Sequence, residues 1–105
     1  MKLKFDFDPH GCKAIFRKYA AHEAEIRNTV INQITQQIDT GFAKTKLATR
    51  LLSHELHVYE CRVNIGKLPP IRAAFTVAKE HITVVYISIN IQKSTFTKEI
   101  TDFLK

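Results

Sequence analysis

The sequence has little that would mark an exported, membrane or metal protein. No apolar run near the start is long enough for a signal peptide. Met1 to Asp8 instead alternates charged and apolar side chains, as a strand does. No segment approaches the ~20 apolar residues needed to span a bilayer. Only two cysteines are present, Cys12 and Cys61, and they make no metal-ligand spacing. Each falls in an otherwise apolar pattern, so both are expected to be reduced core residues of a cytoplasmic protein. A disulfide or a catalytic thiol is the alternative. Internal repeats, linkers and low-complexity tracts are missing as well. Nothing in the helical stripes resembles a cofactor box, and neither a cofactor nor a metal is expected.

What is present fits one domain over residues 1–105, with one modest core. At 45% hydrophobic residues the chain should fold. The net charge is +6, unevenly spread. Up to Gly41 there are six basic residues against five acidic; from Phe42 onward there are ten against five. A basic half implies an anionic partner: nucleic acid, an anionic membrane or an acidic protein segment. A surface charged for solubility is the bland alternative.

Leu3, Phe5 and Phe7 alternate with Lys2, Lys4 and Asp6, which predicts a strand. Asp8-Pro9 reads as N-cap and first helical position. Cys12, Ile15, Phe16 and Tyr19 then follow at helical spacing. Ile26, Val30, Ile34 and Ile38 form a second stripe, with the break between the helices near Ala20 to His22. Glu23 and Glu25 suit the positive end of the second helix, and Gly41 its stop. Ala43 to Ser53 is basic and short of apolar periodicity, so it reads as a loop or a short turn of helix. Three strands follow: Leu56 to Val63, Ile71 to Val77 and Ile82 to Ile89. A terminal helix is expected over Thr95 to Leu104. Helices set before an antiparallel sheet indicate an α+β fold.

The turn around Gly66 and Pro69-Pro70 makes the first two of these strands a hairpin centred near Lys67. Arg62 and Arg72 then lie opposite each other and on one face. Two adjacent guanidiniums repel unless an anion sits between them. The pair is therefore a candidate phosphate clamp, since Arg offers phosphate a fixed fork of donors. Ile71, Ala73, Phe75 and Val77 should face the helices. Glu60, Arg62, Arg72, Ala74, Thr76, Thr83, Val85 and Ile87 should face away. The apolar part of that outer face needs a cover, either the terminal helix or a partner.

The order of VYECRV, IRAAFTV, ITVVYISI and KSTFTKEI, with the opening FDFDPHGCKAIFRKY, resembles the RelE/ParE/HigB superfamily of toxins from bacterial type II toxin–antitoxin modules. Tyr59-Glu60-Cys61-Arg62-Val63 matches the family's first sheet motif. Arg72 to Val77 matches the second, with Phe75 in place of the usual tyrosine, and Lys93 to Ile100 matches the basic tail. The resemblance covers nearly the whole chain and implies a RelE-like fold with the N-terminal strand joining the sheet edge. It implies a ribosome-dependent mRNA endoribonuclease that inhibits translation and needs no metal. The alternatives are a ParE-like DNA gyrase inhibitor without enzymatic activity and an inactive member that only binds. The implied partners are a cognate antitoxin with mRNA and the ribosome, or gyrase, and no membrane.

By the same resemblance Arg62, Arg72 and Lys93 are the catalytic candidates. Lys44, Lys46, Arg50, Phe96 and Lys98 are the RNA-binding candidates. Many family members carry a tyrosine or histidine near the C-terminus as a base. Here Phe96 and Thr97 stand there, and Phe96 can stack on a base but cannot move a proton. His54 and His57 are candidate bases, with strand or surface histidines as the plainer reading. Glu60 could be a base, but the salt-bridge partner that orients Arg62 is the preferred reading.

Overall fold

The computed structural model describes residues 3–41 and 46–105. Strand β1 is Lys4–Phe7 and helix α1 is Lys13–Lys18, followed by a 3-10 turn at Ala20–His22 and helix α2 at Glu23–Asp39. Strands β2 (Lys46–Ser53), β3 (Leu56–Val63), β4 (Ile71–Ala78) and β5 (His81–Ser88) come next, and helix α3 (Lys93–Leu104) ends the chain. The sheet is mixed and five-stranded, in the order β1-β5-β4-β3-β2. β1 runs parallel to β5 at one edge, and the other neighbours are antiparallel. The α+β class and the edge position of the first strand are as expected. The presence of a fifth strand is not.

That fifth strand is β2, which covers most of the segment expected to be a loop or a turn of helix. Its pairing with β3 is irregular: four residues of β2 lie between Leu47 and Leu52, against one of β3 between their partners Tyr59 and His57. The bulge buries the adjacent Ala48 and Thr49 and leaves Leu47, Leu51 and Leu52 exposed. Alternation is destroyed, so no period-2 pattern is left to read.

Two helical layers cover the sheet. Ile26, Val30 and Ile34 form one buried stripe of α2, and Glu23 and Glu25 occupy its first turn, where the helix dipole favours them. Gly41 takes φ +69 and donates its N–H to the Ile38 carbonyl, which closes the helix. α1 and α2 lie over Cys61, Val63, Ile71, Ala73, Phe75, Ile82, Val84 and Ile87. On the opposite face Phe96 and Ile100 of α3 pack on Ala48, Val58, Ala74 and Val85. The chain's own terminal helix is therefore the cover that the outer face required.

Two expectations are corrected. Asp8-Pro9 does not start α1; the Asp8 carboxylate accepts the His10 and Gly11 N–H groups in a turn, and the helix begins at Lys13 after Cys12. Ile87 faces α1 and α2, not the outer face. The β4–β5 register shifts between Ala74 and Phe75, whose partners are Tyr86 and Val84, so Val85 bulges and every later residue changes sides. Gly11 sits against this bulge. A Cβ there would meet the Val85 carbonyl oxygen, and the Gly11 carbonyl accepts the Ile87 N–H. Only glycine allows that approach.

Candidate functional site

The β3–β4 register sets Arg62 opposite Arg72, and the β2–β3 register sets Lys46 opposite Glu60. Alternation then places Lys46, Glu60, Arg62 and Arg72 on the α3 face, at the end of the sheet where the core stops. Lys93 begins α3 directly beside them. Together with Gln37 of α2 and Cys61, these residues line a cavity of about 410 Å³. Four cations and one carboxylate give it a net positive charge.

The two arginines are not equivalent. Arg72 is largely buried, with 16% of its side chain exposed. Its Nη1 donates to Glu60 Oε1 at 2.7 Å. Its Nε and Nη2 both donate to the Ile91 carbonyl, at 3.0 and 2.6 Å. Arg62 is exposed. The anion expected near the pair is thus internal: the Glu60 carboxylate. It pairs with Arg72, not with Arg62 as anticipated. Lys93 Nζ approaches the same Oε1 at 3.6 Å. Glu60 is only 4% exposed, and its Oε2 is buried without accepting a hydrogen bond from any described residue. A buried polar atom without a partner is uncommon, and it weakens the fold unless function supplies a donor.

Cys61 lines the cavity as a buried thiol. Burial pushes its thiol up to about 12, and the Glu60 charge adds to that against an opposing pull from Arg72. Burial likewise raises Cys12 to about 12, assisted by Asp8. Both thiols are free and buried, as expected of core residues, and burial disfavours the thiolate that a nucleophile needs.

The remaining candidates are scattered. Lys44 lies outside the described residues. Arg50 is exposed on β2 and Lys98 on α3, neither lining the cavity. Phe96 is fully buried beneath α3, so it anchors the helix and offers no face for a base to stack on. His54 sits in the β2–β3 turn, where His54 and Glu55 both take positive φ. His57 is five residues before Arg62 on β3, about 17 Å along the strand, and alternation turns it to the opposite face. Neither histidine lines the cavity. Sequence reasoning missed Gln37, and it missed which arginine Glu60 would hold.

No family model, curated protein or solved structure matches this chain. Its function is therefore proposed from the sequence resemblance together with the basin's chemistry.

Proposed function

We propose that the chain is a toxin of the RelE/ParE/HigB kind, with the RelE-like arrangement of strands, whose basic basin binds and cuts mRNA on the ribosome. The observation that carries this reading is the gathering of Lys46, Arg62, Arg72 and Lys93 around one cavity. An RNA phosphate at the mouth would meet the exposed Arg62 and Lys93, with Arg72 held rigid behind them. Such a site acts by positioning the scissile phosphate and by stabilising the extra charge of the phosphorane. The reaction is attack by the 2′-hydroxyl on the adjacent phosphorus, which requires no metal. The protein acts in the cytoplasm.

A silencing antitoxin cannot use Val85 and Ile87, because one lies under α3 and the other faces the opposite layer. Edge strand β2 is the better surface. It exposes Leu47, Leu51 and Leu52 on the same strand as Lys46 and Arg50, which suits an acidic amphipathic segment. A ParE-like gyrase inhibitor is the second reading. It is favoured by the lack of any histidine or tyrosine lining the basin among the described residues.

Expression of the parent should arrest translation before replication and leave mRNA fragments with 5′-hydroxyl ends. Arg62→Ala should relieve both effects. Replication stopping first, with mRNA intact, supports the gyrase reading and sinks the ribonuclease one.

A further inference from the structure

Strand β1 is half the length of β5, and their pairing ends at Phe7 and Val84. The Gly11 carbonyl takes the Ile87 N–H a little further along. Beyond that point no described strand covers the β5 edge. A second cavity, of about 180 Å³, opens there between α1 and α3. Strand alternation gives it two unlike sides. Toward α1 lie Ile15, Ile87 and Ile89, and Ile89 is left 43% exposed. Toward α3 lie Tyr86, Ser88, Asn90 and Glu99. The Glu99 carboxylate accepts from Tyr86 Oη at 3.1 Å, from Ser88 Oγ at 3.0 Å and from Asn90 Nδ2 at 2.9 Å. Burial, and then the Glu99 charge, push the Tyr86 hydroxyl up to about 12, so it stays a donor.

Three neutral donors orient this carboxylate and leave its charge uncancelled, because no described residue forms an ion pair with it. Lys18, the last residue of α1, lines the same cavity and likewise has no ion pair with a described residue. Opposite charges on the walls of one cavity cancel if they meet. Held apart, with an apolar wall beside them, they match a molecule that carries both charges and an apolar group. The volume falls below the ~300 Å³ at which pockets for drug-sized molecules begin, so the occupant is small. We propose that this cavity binds a free α-amino acid with an aliphatic side chain. Its ammonium pairs with Glu99, its carboxylate with Lys18, and its side chain lies against Ile15, Ile87 and Ile89. A Glu99 that only tied α3 to the end of β5 would need neither Lys18 nor the exposed Ile89. The proposal is independent of the RNA reading of the basin.

The test is an NMR titration of the isotope-labelled full chain with L-leucine. The Ile89 and Asn90 amides should shift and saturate. L-Leucinamide lacks the carboxylate, and isocaproate lacks the ammonium. Each should bind at least about tenfold more weakly than leucine, the worth of one charge-assisted contact. Lys18→Met should abolish the preference for leucine over leucinamide. Glu99→Gln should abolish the preference for leucine over isocaproate. A merely structural Glu99 would change stability without touching these preferences. Lys18 is exposed, so Lys18→Met keeps the fold and carries the test alone if Glu99→Gln does not fold. No saturable shift at Ile89 and Asn90 overturns the proposal. Equal affinity for leucine and leucinamide overturns it too, as does a preference that survives Lys18→Met. None of these readouts depends on toxicity or RNA cleavage, so the failure of this proposal and that of the ribonuclease reading are separately visible.

Discussion

The two faces of the sheet are built from the same strands and end differently. Beneath α1 and α2 the face is sealed: Cys61, Val63, Ile71, Ala73 and Phe75 continue the apolar layer to the end of the β3–β4 hairpin. Beneath α3 the apolar layer stops at Val58, Ala74 and Val85, and Glu60, Arg62 and Arg72 take over one step further along the strands. A sealed face gives stability alone. A face that breaks off in charges gives up burial there, which is the reason the proposed site is put at that end.

The largest effects should come from the two aromatic anchors. Phe75 and Phe96 are both fully buried, one on each face. Truncating either to alanine should cost about 3–5 kcal/mol. They should differ in what else is lost. Phe96→Ala loosens α3, whose first residue is Lys93 and whose approach carries the Ile91 carbonyl, so RNA binding should weaken at temperatures where the protein is still folded. Phe75→Ala should lower denaturant resistance and leave RNA affinity of the folded fraction unchanged. Equal effects of both variants on RNA binding would erase the distinction between the faces.

Next is the internal ion pair. Arg72→Ala leaves the Glu60 carboxylate buried beside Lys93 alone. Breaking a buried pair costs about 3–5 kcal/mol, and the lower end applies because Arg72 keeps some exposure. Arg72 is thus no mere surface arginine. A urea midpoint unchanged by Arg72→Ala would show that the pair adds nothing to the charged end of the face.

A smaller effect concerns the thiols. Cys12 and Cys61 are both held up to about 12 by burial, so native protein should resist alkylation at mildly alkaline pH until it is unfolded. Rapid labelling of Cys61 with Cys12 protected would mean that the basin floor opens to solvent.

Much of this division was legible in the chain. Alternation and turn chemistry placed β3, β4 and β5 to within about a residue, and set Arg62 against Arg72, because a hairpin's centre fixes its register. The four-residue spacing from Ile26 to Ile34 placed α2. The failures share one physical cause: bulges. The extra residues in β2 erased its period, and the bulge at Val85 sent Ile87 to the wrong side in the reading. Asp8-Pro9 misled because the same side-chain acceptor serves a turn as well as a helix cap. The choice of Arg72 over Arg62 by Glu60 was beyond reach, since both lie on its face and only the course of the chain through Ile91 decides which guanidinium is pinned.

The most direct measurement is the affinity of a short single-stranded RNA across a salt series, for the parent and for Arg62→Ala. Arg62 is exposed and faces the basin, so its loss should leave thermal stability nearly unchanged. A basin that grips the RNA backbone predicts weaker binding at every salt concentration. The slope of log K against log salt should be shallower by about 0.7, the share of one single-strand phosphate contact. An Arg62→Ala variant with the parent's affinity and the parent's slope would place the RNA elsewhere, and would contradict the assignment of this basin as the site of function.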